Sequence, residues 1–151
     1  MSGQDAVAIA QWHYSEPYTF YDLKSDRNDY EEFLNLAKWK RDSKFSVIDD
    51  HGELVGLFEF SYKNGVVDIG LGIRPDLTGR GIGLSFFLAG LKFASEKFSP
   101  KQFTLSVAAF NARAIKVYEK AGFRIVRTFW NKTNGGIYKF LEMSYEPFQQ
   151  G

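Results

Sequence analysis

The stretch Ile69-Gly-Leu-Gly-Ile-Arg-Pro-Asp-Leu-Thr-Gly-Arg-Gly-Ile-Gly83 constrains the fold more than any other part of the chain. An apolar run closes at Pro75, a polar turn follows, and glycines alternate through Gly79, Gly81 and Gly83. Apolar residues then recur at helical spacing, at Leu84, Phe87, Leu88, Leu91, Ala94 and Phe98. A strand thus runs into a glycine turn, and the turn into a helix. Such a turn bares its backbone N–H groups, and the helix start adds unpaired N–H groups with a partial positive charge. The stretch is expected to hold a phosphate.

The flanking sequence supplies a domain around this turn. Asp5 to Trp12 and Asp29 to Lys40 read as helices, the second with Tyr30, Phe33, Leu34 and Trp39 on its apolar side. Between them His13 to Tyr21 carries four aromatics around Pro17 with neither periodicity, and reads as a loop or a broken helix. Phe45 to Ile48 and Leu54 to Tyr62 read as strands, and Asn64-Gly65 marks a hairpin into a third, Val66 to Ile73. Beyond the long helix, Phe103 to Ala108 is strand-like. Asn111 then caps a helix that Gly122 stops. Phe123 to Trp130 and Ile137 to Tyr145 close the chain as a hairpin about Asn134-Gly135-Gly136. The order ααβββαβαββ specifies a three-layer α/β or α+β domain with a mixed sheet. With 151 residues, 44% of them apolar and 15 of them Phe, a single domain over 1–151 suits the chain.

Charge and cysteine content narrow the function. Nineteen basic against 18 acidic residues leave no net bias toward nucleic acid or an anionic membrane. Locally, Asp22, Asp26, Asp29, Glu31 and Glu32 make residues 22–32 acidic, while Lys38, Lys40, Arg41 and Lys44 make 38–44 basic. The absence of cysteine removes disulfides, thiolate metal sites and a cysteine nucleophile, and no metal is expected. No basic-then-apolar leader and no apolar run near 18 residues is present, so a soluble cytoplasmic protein is expected.

Two familiar phosphate loops fail on their spacing. A P-loop ends in Gly-Lys-Ser/Thr, whereas Gly83 is followed by Leu84 and Ser85. A dinucleotide fingerprint requires glycine at position 86, which is Phe86, and an acidic end to the next strand, which reads Ser106-Val-Ala-Ala.

Thr78-Gly-Arg-Gly-Ile-Gly83 is close to Gln/Arg-x-x-Gly-x-Gly/Ala, and Asn111-Ala-Arg-Ala-Ile-Lys-Val-Tyr-Glu-Lys-Ala-Gly-Phe123 stands downstream. Together these motifs resemble the GNAT superfamily of acetyl-CoA-dependent N-acetyltransferases, over roughly 45–145 and more loosely the two N-terminal helices. The sequence departs from the family in carrying Thr78 where Gln or Arg is usual. It also leaves almost no room in residues 1–4 for the family's first strand, so either that edge strand is missing or the chain begins late.

The resemblance implies a mixed, splayed sheet flanked by helices and a set of roles. The backbone of Thr78, Gly79, Arg80, Gly81, Ile82, Gly83 and Leu84 would close on the pyrophosphate of coenzyme A, with the Arg80 side chain adding charge. The third strand, at Leu71, Gly72 and Ile73, would part from the next and bond the pantetheine arm, one N–H serving as oxyanion donor. Asn111 and Ala114 would border the cofactor, and Tyr118, seven residues past Asn111 on nearly the same face, would protonate the departing thiolate. Asp68, then Glu59, are candidates to deprotonate the amine, with His13 and His51 as outside choices. Trp12 to Tyr21 would wall the acceptor site. The implied activity is direct acetyl transfer from acetyl-CoA to a primary amine in a ternary complex. A small polyamine-like amine, an amino sugar, an amino acid and a protein N-terminus are all left open as acceptors. A homodimer is left open too, as is a non-catalytic coenzyme A binder on the same fold.

Overall fold

The computed structural model describes residues 1–40 and 43–147; Arg41 of the basic run lies outside them. Four helices and six strands follow the expected order: α1 (Gly3–Ala10), α2 (Arg27–Leu34), β1 (Lys44–Ile48), β2 (Leu54–Lys63), β3 (Val66–Ile73), α3 (Gly83–Phe98), β4 (Gln102–Ala108), α4 (Ala112–Lys120), β5 (Arg124–Thr133) and β6 (Gly136–Tyr145). Both N-terminal helices start earlier than the apolar spacing indicates, because polar caps set their first turns. Ser2 Oγ accepts from the Asp5 N–H, and Asp26 Oδ1 from the Asp29 N–H. α2 also ends early, at Leu34, because Asn35 leaves the helical region with φ −87° and ψ 78°. The expected remainder of that helix is a 3-10 turn at Leu36–Lys38. The aromatic stretch is a broken helix, with 3-10 turns at Tyr18–Tyr21 and Leu23–Ser25.

The strands form one mixed sheet in the order β1-β2-β3-β4-β6-β5. Only β3 and β4 run parallel, as the α3 crossover between them requires. Among the described residues no strand precedes α1, and the Met1 ammonium donates to the Lys44 carbonyl on β1.

Strand alternation sorts the side chains to two faces. Phe58, Phe60, Val67, Ile69, Phe103, Leu105 and Met143 pack with Phe87, Leu91, Ala94, Tyr118 and Phe123, from α3, α4 and the residue before β5. Leu57, on the opposite face, joins Ala6, Ile9, Ala10 and Phe33 of α1 and α2. Two ring-on-glycine contacts bring α3 close to the sheet. A Cβ at Gly90 would lie 2.2 Å from the Phe58 ring, and one at Gly56 would lie 2.5 Å from Phe86. The two rings stack at 4.8 Å, so each glycine clears the space that the opposing phenylalanine fills.

Candidate active site

The parallel strands stay paired for only three rungs, Val66 with Gln102, Val67 with Phe103 and Asp68 with Thr104. Beyond them β3 keeps to β2 and β4 keeps to β6, so the sheet opens as a wedge. The register decides which backbone groups face it. Arg74 N–H donates to the Val55 carbonyl, and antiparallel alternation then turns Gly72 and Gly70 toward β2. Leu71 and Ile73 turn their N–H and C=O groups into the wedge. The Gly72 N–H, one of the groups expected to bond a pantetheine arm, is therefore committed to β2. Gly72 contributes space instead: a Cβ there would meet Leu57 Cδ2 at 2.9 Å and the Tyr14 hydroxyl at 3.7 Å. On the other lip, Ala109 N–H donates to the Lys139 carbonyl, which leaves Ser106 and Ala108 facing the wedge.

The glycine turn closes the wide end. Gly79 and Gly81 have φ of +74° and +77°, values that side chains other than glycine rarely adopt. Gly83 is different. It begins α3, and a Cβ there would press Val117 Cγ2 at 3.3 Å, so its smallness serves the packing of α3 on α4. Thr78 Oγ1 donates to the Pro75 carbonyl, tying off the turn, and the first helical bond runs from Phe86 N–H to Ile82 C=O. Among the described residues, nothing accepts from the N–H groups of residues 79–85.

A cavity of about 960 Å³ passes through the wedge from one face of the sheet to the other. From the α3/α4 face it is lined by Leu84, Asn111, Ala114 and Tyr118, and from the α1/α2 face by Trp12, Tyr14, Asp29 and Glu59. Arg80 and Ile82 are not in its wall. Tyr118 is 8% exposed, with its ring on Phe87 at 4.8 Å. No buried side-chain polar atom among the described residues lacks a partner, and no protein group bonds the Tyr118 hydroxyl, so that oxygen opens into the cavity. Burial, and to a lesser extent Tyr21, push its pKa above the ordinary phenol value.

The N-terminal aromatic segment crosses both lips. Tyr14 O–H donates to the Ile73 carbonyl at 2.8 Å. The Tyr21 oxygen is bonded by Asn111 Nδ2 at 3.2 Å and by the Ala108 backbone, while burial pushes its own pKa up. Asn111 meanwhile caps α4, its Oδ1 accepting from the Ala114 N–H. Phe20 anchors the segment against Phe110, Tyr138 and Phe140. Part of the stretch therefore packs as core, and only its tyrosine tips and Trp12 reach the cavity.

The carboxylates separate clearly. Glu59 lines the cavity and pairs with Lys44 at 3.3 Å. Asp68 does not line it. It sits on the last paired rung and accepts from Thr104 Oγ1 at 2.7 Å, with burial raising its pKa. Asp68, expected ahead of Glu59, stands on a rung that precedes the opening, whereas Glu59 borders the cavity. His13 is 78% exposed, with Nδ1 2.6 Å from Asp22 Oδ2, and His51 occupies the exposed turn before β2; neither lines the cavity. Asp29, one carboxylate of the acidic run, also lines the cavity. Its carboxyl is pushed up by burial and by Asp26, Glu32 and Glu59.

Three cations of the cavity wall were also missed: Arg113, Lys116 and Lys120. Their spacing of three and four places them on one side of α4, a pattern visible within the second motif. The Arg113 guanidinium lies 4.2 Å from the Tyr18 ring centroid and 3.4 Å from where a Gly79 Cβ would stand. Among the described residues no group of three His, Cys, Asp or Glu could hold a metal, and no helix is long and apolar enough to cross a membrane.

The parallel pair parts beside a helix start whose N–H groups have no protein acceptor among the described residues, and the cleft so formed crosses the sheet. The chain belongs to the acetyltransferase (GNAT) domain family, whose model matches residues 1–124. Among solved structures it is similar to spermidine N-acetyltransferase from Vibrio cholerae in complex with CoA and spermine. The TM-score is 0.77 at 20% identity, over 97% of this chain and 92% of that one. An acetyltransferase (GNAT family) from Bacillus anthracis superposes with TM-score 0.73 at 18% identity, over 97% and 91%. A putative phosphinothricin N-acetyltransferase gives 0.73 at 14%, over 97% and 94%. No curated protein matches the sequence.

Proposed function

We propose that the protein transfers the acetyl group of acetyl-CoA to a primary amine of a small molecule. The observation that carries this reading is the wedge between Ile69–Ile73 and Ser106–Ala108, with unpaired amides at its wide end and the free Tyr118 hydroxyl in its wall. The residues present suit coenzyme A. The N–H groups of 79–85 would hold its pyrophosphate, Arg113, Lys116 and Lys120 would neutralise phosphate charge, and the backbone of Leu71 and Ile73 would bond the arm. Acetyl-CoA supplies an activated thioester.

The protein's residues then place the reactants and move two protons. Glu59, directly or through water, takes the proton that the ammonium must lose. The amine nitrogen forms its bond to the acetyl carbon and gives up its second proton to water as the carbon–sulfur bond breaks, and the sulfur keeps the electron pair. Tyr118 gives its proton to that thiolate and regains one from solvent. Its raised pKa makes it a weaker acid but keeps it protonated wherever the amine is reactive. With no cysteine present, no acyl-cysteine intermediate forms. The test is thiol release from acetyl-CoA on addition of an amine panel. Binding of acetyl-CoA without thiol release from any amine would replace catalysis by a binding role.

A further inference from the structure

Tyr14, Tyr21 and Tyr118 all line the cavity, and the protein uses their hydroxyls differently. Tyr14 spends its hydrogen on the Ile73 carbonyl, and Tyr118 has no partner among the described residues. Tyr21 is an acceptor twice over. Asn111 Oδ1 is taken by the Ala114 N–H, which turns Nδ2 to the Tyr21 oxygen at 3.2 Å, and the Ala108 N–H donates to the same oxygen. A phenol oxygen with two incoming donors has its lone pairs filled, so its own hydrogen is aimed elsewhere. No protein group among the described residues accepts that hydrogen. We infer that Tyr21 is the residue from which Tyr118 regains its proton, so that the acid of the reaction is a pair of phenols. The inference rests on the acetyl-transfer reading, in which Tyr118 protonates the thiolate, and supplies the step that follows.

Position and access favour this order. Tyr118 is 8% exposed and Tyr21 37%, so water meets Tyr21 more readily. Tyr21 also borders a second cavity of about 270 Å³, edged by Asn131 and Asn134. The two phenols approach along α4. Tyr21 is held at Asn111, on nearly the same helix face as Tyr118, and a helical side chain leans toward the N-terminal end of its helix. A charge on Tyr21 is near enough to oppose one on Tyr118. No bond joins the two oxygens, so water in the cavity they share carries the proton between them.

The Tyr118 O–H bond breaks as the S–H bond forms. The Tyr21 O–H bond then breaks as the Tyr118 O–H bond is restored, and the Tyr21 oxygen carries the negative charge until it takes back the proton that the amine released to water. Of the two phenols, Tyr21 has N–H donors in place to hold that charge, which sets the direction of transfer. Burial raises its pKa, and the bonds from Asn111 and Ala108 pull against that rise.

The experiment measures kcat, with an amine that supports thiol release, for the wild type, Tyr21→Phe, Tyr118→Phe and the double variant. Tyr21→Phe is expected to lower kcat about tenfold, less than loss of the acid itself, with KM for acetyl-CoA changed by less than about twofold. In the Tyr118→Phe background the same change should move kcat by less than about twofold, because Tyr21 acts through Tyr118. A merely structural role would lower kcat equally in both backgrounds. Tyr21→Phe also leaves two N–H donors without their acceptor, so a ring-fluorinated tyrosine in place of Tyr21 is the second probe. It keeps the oxygen and both bonds but is a stronger acid. It should bring an alkaline fall in kcat below the ordinary phenol value of 10, absent in the wild type and abolished by Tyr118→Phe. A loss under twofold in Tyr21→Phe, an equal loss in both backgrounds, or a flat profile with the fluorinated residue would each overturn the relay while acetyl transfer stands. Wild-type kcat in Tyr118→Phe would remove the proton donor and the relay together. Absence of thiol release with every amine, although acetyl-CoA binds, would remove the acetyl-transfer reading beneath both.

Discussion

The Tyr14 hydroxyl donates to the Ile73 carbonyl at 2.8 Å, joining the segment after α1 to the lip of the cleft 59 residues further along the chain. Tyr21 makes the matching contact on the other lip, through Ala108 and Asn111. One short segment therefore braces both sides of a wedge that has no strand pairing of its own. Tyr14→Phe removes the donor and keeps the ring. A net loss of about 1 kcal/mol is expected from urea unfolding, with Tm lower by roughly 2–4 °C. Unchanged stability would mean that this brace carries no load.

Tyr118→Phe tests the proton donor. The hydroxyl has no protein partner, so folding stability should move by less than about 0.5 kcal/mol. The effect should fall on kcat, reduced about 100-fold with acetyl-CoA binding retained, as for loss of a general acid. The pH profile offers a second check. Burial holds the folded phenol above its ordinary value of 10, so Tyr118 loses its proton only above that pH and kcat should show no alkaline fall below it. A fall centred near pH 9 that vanished in Tyr118→Phe would contradict the assignment.

Gly90→Ala tests how α3 is seated. The new Cβ would stand 2.2 Å from the Phe58 ring, which is itself stacked on Phe86 and buried, so the clash has no flexible outlet. Overpacking of this kind costs about 1–3 kcal/mol, offset in part by alanine's better helix propensity. Chemical denaturation should register a net destabilisation. A neutral or stabilised variant would show that α3 can lift from β2 freely.

Asp26 ties α2 to the last hairpin, accepting from the N–H groups of Asp29 and Asn134. Those bonds, that from Asn134 foremost, lower its pKa below the ordinary carboxylate value. A depressed carboxylate stabilises the fold above its unfolded pKa of about 3.9, and the contribution is lost as pH falls through the folded value. Asp26→Ala should therefore be less stable than wild type at pH 7, by thermal unfolding. The gap should narrow as pH drops below about 4. A gap that held constant to pH 2 would assign the effect to something other than ionisation.

The sequence carried the element order because each boundary has a local chemical marker. Asn64-Gly65 and Asn134-Gly135 turn hairpins, Gly122 stops α4, and Asn111 starts it. The glycine turn was legible for the same reason. What was illegible depended on register and on faces. Gly72 and Ile73 are neighbours in sequence, yet pairing with β2 gives the wedge to Ile73 and not to Gly72. Asp68 and Glu59 look equivalent as strand carboxylates, and only the rung at which β3 leaves β4 separates them. Asp29 stood in the acidic run of residues 22–32, and nothing local singled it out from its neighbours or shows that α2 borders the wedge.

A crystal structure of the protein with acetyl-CoA tests most directly whether the wedge and its amide-lined end hold the cofactor. The pyrophosphate is expected on the N–H groups of residues 79–85, the arm between β3 and β4 with bonds to Leu71 and Ile73, and the sulfur beside Tyr118. Acetyl-CoA bound elsewhere, or a wedge filled by the protein's own side chains at saturating ligand, would contradict it.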